Sequence, residues 1–442
     1  MTSRTPATTF YATARTRAEL LPPGGTDART PAASRELPDR AGHVRPTGSG
    51  RIEALDLVRL LAILGMMATH LLGPLALLQV GGVQGAAASA AEVLTTGIAS
   101  TTFAVVGGFS LVLAARGRLA AGDRRGAVLS TMARGALVIA IGMVLGFVPT
   151  SVVVVLVPYG VTMILAAPLL LVRSRWLLAI AGGLALTGGF LNASVRGSLG
   201  IVQEIGAVTP LNLLEPLPLL RGLALTGMYP VITWLPYMLL GIVLMRSLAA
   251  AIEQGRARSW SLRAAGIGAL VAAAAYGISA AARTWATGQG IDPILVSLSG
   301  FGAPVTPELW ALASASPHTG SPIDMIATSA VAIVLIGLMT LVVRPGTALR
   351  SRPARAARAA GAAPLTIYAI HVILTGAALI AAMLLNPAGD FTSYPWYVAG
   401  LGILAIHVVI ALGIGAHLAA RGRSGPLERL VSGIVRRVVP MR

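Results

Sequence analysis

Between about residue 54 and residue 419 the chain is a succession of apolar runs, most of them near 20 residues long, with arginines punctuating them. Hydrocarbon offers no hydrogen-bond partner to a backbone N–H or C=O. A run of ~20 apolar residues therefore crosses the ~30 Å core of a bilayer as a helix, the only alternative being a closed barrel of strands. Barrel strands would be about 10 residues long and would alternate apolar with polar side chains, and that pattern does not occur here. Hydrophobic residues make up 55% of the sequence and charged ones 11%, too little charge to cover a water-soluble surface for 442 residues. The sequence predicts an all-α protein, a polytopic transmembrane helical bundle of about ten spans. They fall at 54–78, 91–115, 127–148, 151–172, 176–195, 229–246, 264–284, 323–343, 361–384 and 395–419.

The arginines orient these spans. The net charge is +18 and there is no lysine, so arginine carries all the fixed positive charge. Eight arginines, from Arg4 to Arg51, precede the first span. Arg116, Arg118, Arg124 and Arg125 fall in one alternate connection, and Arg173 and Arg175 in the next of that set. Arg246, Arg256, Arg258 and Arg263, then Arg344 to Arg358, then Arg421 to Arg442 follow. The intervening connections hold Arg196, Arg221 and Arg283. Positive charge is retained on the cytoplasmic side, so both termini are expected there, with the protein multi-pass in the plasma membrane. Nucleic acid is not an expected partner, because the arginines follow the spans and form no single basic stripe. The absence of cysteine excludes disulfides, thiol nucleophiles and zinc–thiolate sites.

Three regions follow. Residues 1–50 are polar, rich in Pro, Ser, Thr and Arg, and read as a disordered cytoplasmic tail. Residues 51–420 form the membrane domain, and 421–442 a basic cytoplasmic tail. Two non-cytoplasmic connections, 196–228 and 285–322, are long and contain several prolines. Loops of that length can cap a site.

The first span, "RIEALDLVRLLAILGMMATHLLG", carries Asp56, Arg59 and His70. Arg59 and His70 are eleven positions apart, hence within about 20° on the helix and ~16 Å apart along it. Asp56 lies one turn from Arg59 and is placed to pair with it. Charge in the hydrocarbon core costs roughly 2.5 kcal/mol or more unless paired or hydrated, so this stripe is expected to face protein or water. An Asp56–Arg59 lock between helices is one reading of the pair, and a site is the other. His70 has no partner in its own helix and an imidazole that exchanges protons near neutral pH, which makes it a candidate general base. His371 follows Tyr368 by three residues, on the same face of its span. His407 reads as a neutral histidine bonded between helices, Arg134 as a snorkelling residue, His417 as interfacial and Glu215 as solvated.

Five segments resemble integral-membrane acyltransferases. "RIEALDLVRLLA" followed by His70 is similar to the "LDxxRGxA…His" opening helix of the acyltransferase-3 family, with Leu60 in place of its glycine. "TTFAVVGGFS" at 101–110 looks like the second-helix "FFVLSGF". "GMYPVITWLPYMLLG" at 227–241 resembles the "YYPLLPWLGYFLLG" stretch of heparan-α-glucosaminide N-acetyltransferase-like proteins. "GAAPLTIYAIH" at 361–371 is similar to their "NSLxLYVxH", with Pro364 replacing Asn. "SGPLERLVSGIVRR" resembles the "GPLEWLxR" tail of the YeiB-like branch, whose reaction is unassigned, with Arg429 replacing Trp.

The resemblance implies transfer of an acyl group, usually acetyl, from cytosolic acyl-CoA to a hydroxyl or amine of an extracytoplasmic glycan or glycolipid. Such transfer needs a base, donors for the oxyanion and cations for the CoA phosphates. The expected catalytic residues are His70, Arg59, Asp56 and His371. Arg116, Arg118, Arg124 and Arg125 suit the acyl-CoA phosphates, and Tyr368 and His318 the acceptor. No metal or tightly bound cofactor is expected; the bilayer, acyl-CoA and the glycan acceptor are the expected partners, with oligomerisation left open. Two other readings compete: a secondary transporter or lipid-linked-sugar translocator using the Asp/Arg/His stripe, and a non-catalytic membrane protein. No P-loop, HExxH or dinucleotide fingerprint is present.

Overall fold

The computed structural model describes residues 52–386 and 394–440, so the expected disordered tail at 1–50 lies outside the described residues. Everything below belongs to the unit that begins at Gly48. Among the described residues all regular structure is helical. The order is α1 (Glu53–Leu77), α2 (Gly82–Thr95), α3 (Ile98–Ala120), α4 (Arg124–Leu145), α5 (Leu156–Leu169) and α6 (Ser174–Leu199). Then come α7 (Pro216–Arg221), α8 (Val231–Glu253), α9 (Ala257–Gly288), α10 (Pro293–Ser297), α11 (Leu309–Leu312) and α12 (Pro322–Val342). The last are α13 (Arg352–Gly361), α14 (Pro364–Leu385), α15 (Leu401–Arg421) and α16 (Pro426–Val438).

Nine helical elements among the described residues are long and apolar enough to cross a membrane, with α2 and α3 counting as one bent element. The tenth expected span, 151–172, is corrected by the structure: only α5, 14 residues, is helical there. Fourteen residues rise ~21 Å, less than the hydrocarbon core. The sequence gives the reason. Four consecutive valines, 152–155, resist helix, and Pro149 and Pro158 restrict the chain on either side. The segment enters the bundle in non-helical form instead, and its polar groups find partners. Thr150 Oγ1 donates to Thr375 Oγ1 at 3.0 Å, Val152 N donates to Thr150 Oγ1 at 3.2 Å, and Val155 N donates to Tyr368 Oη at 3.2 Å. Non-helical backbone at membrane depth is tolerable only when buried in protein like this.

The bundle is tightest where glycines meet. A Cβ on Gly108 of α3 would lie 2.1 Å from Met238 O, and one on Gly241 of α8 1.9 Å from Val105 O. Two of the family-like segments, 101–110 and 227–241, thus supply the two sides of one helix crossing. Phe109, Met238, Leu239 and Ile242 are fully buried around it. Small residues at such crossings let helices approach where no hydrophobic force drives them together.

The terminal segment 421–442, expected as a basic tail, contains the amphipathic α16, whose Val431 and Val435 are buried. Glu428 accepts from Leu365 N at 2.7 Å, Thr366 N at 3.1 Å and Thr366 Oγ1 at 2.6 Å. It caps α14, whose first residue is Pro364. Proline suits that position because it has no N–H to satisfy. The "GPLER" motif is therefore a clamp on the helix that carries Tyr368 and His371.

The α3–α8 crossing gives a direct test. Gly241→Val adds atoms where a carbonyl already sits, and overpacking of this kind costs about 1–3 kcal/mol. The purified variant should melt at lower temperature than wild type in the same detergent, whereas Gly413→Ala, at a glycine with open space around its Cβ position, should not.

Candidate functional site

Each side chain of the site is placed by a specific feature of the fold. His70 stands in the upper half of α1, four turns above Asp56. The α2–α3 element breaks at Gly97, which adopts φ +76°, a left-handed conformation that glycine accepts without strain. The break turns the N-terminus of α3 toward His70 and packs Gly97 beneath Pro317 and His318. Tyr229 and Trp234 come from the entrance to α8, their rings edge-on with centroids 5.4 Å apart.

His70 Nδ1 and His371 Nε2 are 3.1 Å apart, and the rings stack with centroids at 5.3 Å. Behind them His407 meets His371 edge-on, with centroids at 5.0 Å. Three histidines from α1, α14 and α15 thus form a row. His70 lines a cavity together with Thr69, Ser100, Val155, Tyr229, Trp234, His318 and Tyr368. Its volume is about 20 Å³, room for roughly one water molecule. A second small cavity shares the Gly97, Ser100, Tyr229, Trp234 and His318 walls and adds Thr101, Tyr237 and Asp324.

Asp324 was not singled out by sequence. "SPID" reads as a helix start, and it is one: Ser321 Oγ accepts from Asp324 N at 3.0 Å. Asp324 Oδ2 completes the cap by accepting from Gly320 N at 2.9 Å and Thr319 Oγ1 at 3.4 Å. Its other oxygen, Oδ1, is buried and has no hydrogen-bond partner among the described residues. Capping accounts for one oxygen of a residue that lines the cavity and leaves the second without a partner among the described residues. A buried carboxylate oxygen without a donor is costly, and such groups call for an explanation.

The long 196–228 and 285–322 connections close the site. Arg196, read from the sequence only as an arginine of an intervening connection, is 6% exposed and knots them together. Its Nε donates to Asn192 Oδ1 at 2.9 Å, Nη1 to Phe301 O at 2.9 Å and to Val202 O, and Nη2 to Gly227 O at 2.9 Å and Leu225 O at 3.1 Å. Asn192 Nδ2 donates to Gly302 O at 2.8 Å. The i, i+4 spacing of Asn192 and Arg196 on α6 was the available signal. Glu204 and Arg221 pair in the same region, and the Arg221 hydrogen bonds hold the Glu204 carboxyl below its usual range.

His318 sits in this cover with φ +59°, its ring edge-on to Tyr229 at 5.9 Å. A non-glycine residue in that conformation is uncommon and marks a locally constrained backbone. Burial pushes the His318 imidazole down from 6.5 to about 4 and the Tyr229 hydroxyl up to about 12. Both are neutral at pH 7.

Of the ten expected site residues, His70, His371, Tyr368 and His318 come together. Asp56 and Arg59 lie apart from the cavity. Arg59 Nη1 donates to Asp56 Oδ1 at 2.5 Å and Nη2 to Ser110 Oγ of α3 at 2.9 Å, the inter-helix lock that was one of the two readings. Arg118 is buried against Asp123 at 2.7 Å and the backbone carbonyls of Val439 and Pro440. It anchors the end of the chain. Arg116, Arg124 and Arg125 are exposed at the same arginine-rich end. His407, expected to be bonded between helices, bonds instead within its own helix, through Nδ1 to Ile403 O at 2.9 Å. Arg134 is half-buried, and Glu215 and His417 are exposed. Among the described residues no cluster of ligands suits a metal ion.

A larger cavity of about 740 Å³ lies between α6, α8, α9 and α12. Its walls are mostly apolar, including Pro236, Leu240, Ile267 and Met325. It contains no histidine or carboxylate, so the chemistry is placed at the smaller cavities.

His318 yields a pH prediction. Its folded pKa of about 4 lies below the ordinary 6.5, so between those values the unfolded chain binds the proton and the folded one does not. Stability contributed by the neutral ring is complete above pH 6.5 and falls as pH drops toward 4. Thermal melts from pH 7.5 to 4 should show a shallower acid loss for His318→Gln than for wild type; parallel curves would refute the assignment.

The family model described as heparan-alpha-glucosaminide N-acetyltransferase, catalytic, matches residues 51–283, just over half of the chain. The match takes in α1 to α8 and most of α9, hence His70, Tyr229 and Trp234, and stops short of His318, Asp324, His371 and His407. No curated protein matches the chain in sequence.

Proposed function

The chain belongs to the heparan-alpha-glucosaminide N-acetyltransferase catalytic family, membrane enzymes that use acetyl-CoA, and on that premise we propose that it acetylates an amine of an extracytoplasmic glycan or glycolipid at the His70 cavity. The observation that carries this reading is a pair of groups lining two adjacent small cavities that share the Gly97, Ser100, Tyr229, Trp234 and His318 walls. At one is an imidazole backed by a second imidazole at 3.1 Å, and at the other Asp324 with its unpartnered Oδ1.

The roles follow from the chemistry. An amine arrives as an ammonium, and a buried carboxylate oxygen lacking a donor is the group that would receive it. A hydroxyl acceptor has no need of that charge, so Asp324 favours N-transfer. The ammonium first gives one proton to the Asp324 carboxylate, which later releases it to water, and His70 takes the second from the resulting amine as its nitrogen attacks the thioester carbonyl. The C–N bond forms, the C–S bond breaks, and the proton passes from His70 to the departing CoA sulfur. The first N–H groups of α3 lack intrahelical partners and face the same cavity, which suits them to the oxyanion of the tetrahedral intermediate. The neutral Tyr229 and His318 shape the acceptor side, and Tyr368 holds the entering 150–155 segment.

Acetyl-CoA reaches this site from the arginine-rich end in this reading. Arg116, Arg124 and Arg125 are the proposed phosphate contacts there, and Arg118 supports them by fixing α16. Arg59 and Asp56 hold α1 to α3 below the cavity and do not touch reacting atoms. A cavity of about 20 Å³ is too small for the acetyl-pantetheine arm, so binding requires the helices to part. The arginine-rich end is assigned to the cytoplasm of a plasma-membrane protein. Reporter fusions at Val305 and at the C-terminus should then report opposite sides; the same side for both would overturn this orientation.

Purified protein assayed with acetyl-CoA and glucosamine tests the reaction. His70→Ala should lower transfer by about 10²–10⁴-fold, the usual worth of a general base, while acetyl-CoA still binds. Asp324→Asn should raise KM for the amine with a smaller change in KM for acetyl-CoA. Transfer at near wild-type rate by His70→Ala would remove the mechanism, and the proton-relay transporter would become the better account of the histidine row.

A further inference from the structure

His407 lies behind the site, 2% exposed, and the reaction described above gives it nothing to do. Its hydrogen bonding nevertheless fixes its protons. Nδ1 is 2.9 Å from Ile403 O. A carbonyl oxygen only accepts, so Nδ1 carries a proton and, in the neutral ring, Nε2 is a bare lone pair. That Nε2 is buried without a partner, and so is Nδ1 of His371. These are the neighbouring edge-on rings, 5.0 Å between centroids.

The proton of His371 can sit on either nitrogen. If it sat on Nε2, the edge-on pair of rings would carry two bare lone pairs, with no donor bonded to either among the described residues. If it sits on Nδ1, the same pair of rings carries one donor and one acceptor, not hydrogen-bonded to each other in this arrangement but able to attract across the 5.0 Å between centroids. Polar atoms in a low-dielectric interior interact strongly, so this choice is not small. It has a consequence at the far end of the row. With its proton on Nδ1, His371 offers Nε2 as an acceptor, and the 3.1 Å bond must then be donated by His70 Nδ1. His70 Nε2 is left bare, as a base requires. The opposite arrangement would place a proton on His70 Nε2 and block it.

We propose that His407, acting through His371, sets the tautomer of His70 and so holds its Nε2 ready to accept the acceptor's proton. His407 is a positioning residue. Two links of the row are hydrogen-bond contacts, His70 Nδ1 to His371 Nε2 and His407 Nδ1 to Ile403 O; between them the unpartnered His371 Nδ1 and His407 Nε2 belong to edge-on rings 5.0 Å apart and couple through their partial charges alone. When His70 becomes an imidazolium, its Nδ1–H bond to His371 becomes charge-assisted, and the donors behind it are already aligned to respond. The proton itself stays on His70 Nε2 until it leaves with the CoA sulfur. The row needs no exit for it.

This inference rests on His70 as the base, and the test separates the two. Full-length protein is assayed with acetyl-CoA and glucosamine, with rates expressed per folded enzyme. His407→Phe fills the volume and removes both ring nitrogens. Loss of a residue that orients another group typically lowers activity about 10–100-fold. That loss should appear in kcat, with KM for acetyl-CoA nearly unchanged. His407→Gln keeps a donor for Ile403 O and an acceptor for His371, and should restore most of kcat. Nitrogen-15 histidine spectra give a readout independent of the acceptor: His70 should report protonated Nδ1 in wild type and His407→Gln, and a mixture in His407→Phe. If His407→Phe leaves kcat intact, or if Phe and Gln lower it equally, or if the His70 tautomer does not respond, the inference is overturned. If His70→Ala is itself fully active, the base reading fails first, whatever His407 does.

Discussion

Inside a bilayer a polar side chain has only protein to bond with, and the structure is arranged around that restriction. Where the hydrocarbon would surround Asp56 and Arg59, the two pair with each other and reach Ser110 on α3. Where the 150–155 segment leaves helical form, its groups are taken up by Thr375 and Tyr368 on α14. Unsatisfied polar groups at that depth each cost several kcal/mol, so partners of this kind are conditions of folding. The few groups left over stand out for the same reason. Among the described residues, buried unpartnered side-chain atoms occur on Asp324 at the second cavity wall, on His371 and His407 behind His70, and on Thr102. Three of those four belong to the site.

The same restriction explains why the site needs so much covering structure. A cavity near one end of the bundle would flood if the loops above it were loose, and water would compete for each histidine nitrogen and for the Asp324 carboxylate. Arg196 prevents this by spending its guanidinium on carbonyls from both long connections at once. One charged group bonded to several loop carbonyls holds two loops that share no regular structure. The left-handed Gly97 and His318 then interlock beneath the cover, the first allowing the helix break and the second filling the space above it. Burial keeps His318 neutral in consequence, so the acceptor side of the cavity presents an uncharged ring and a phenol beside the Asp324 carboxyl.

What the sequence made legible follows from which features are local. The apolar runs, their arginine punctuation and the pairing of Asp56 with Arg59 depend on composition and helical spacing alone, and all appear in the structure. His70 was legible from its place on the Asp56–Arg59 stripe, and the Tyr368–His371 pair from helical spacing, with motif likeness adding to both; His318 had no local signal beyond its residue type. The shortened α5 was misread because a valine run satisfies a hydropathy count whether it is helical or extended, and only the tertiary bonds to α14 decide between them. Asp324 was hidden by a legitimate local role. An acidic residue in the first turn of a helix accounts for an aspartate at that position, and nothing in four residues of sequence tells that one of its oxygens is left over. Arg118 was assigned to phosphate because position within a connection says nothing of what the chain's far end will do, and that end returns to bond it.

The histidine row links these observations to the reaction. A single imidazole in an apolar wall has two tautomers of similar energy, and only one serves as a base toward the cavity. A partner that could both donate and accept would leave the choice open, as His371 alone would. The bond from His407 to Ile403 O closes it, because a main-chain carbonyl has one hydrogen-bonding role and cannot exchange it. The helix backbone of α15 thereby fixes the proton positions two rings away. The clamp of Glu428 on α14 serves the same end by another route, holding the register of the helix that carries the middle ring. Catalytic readiness at His70 is in this sense a property of three helices and one carbonyl, and it extends beyond the segment in which the family likeness was found.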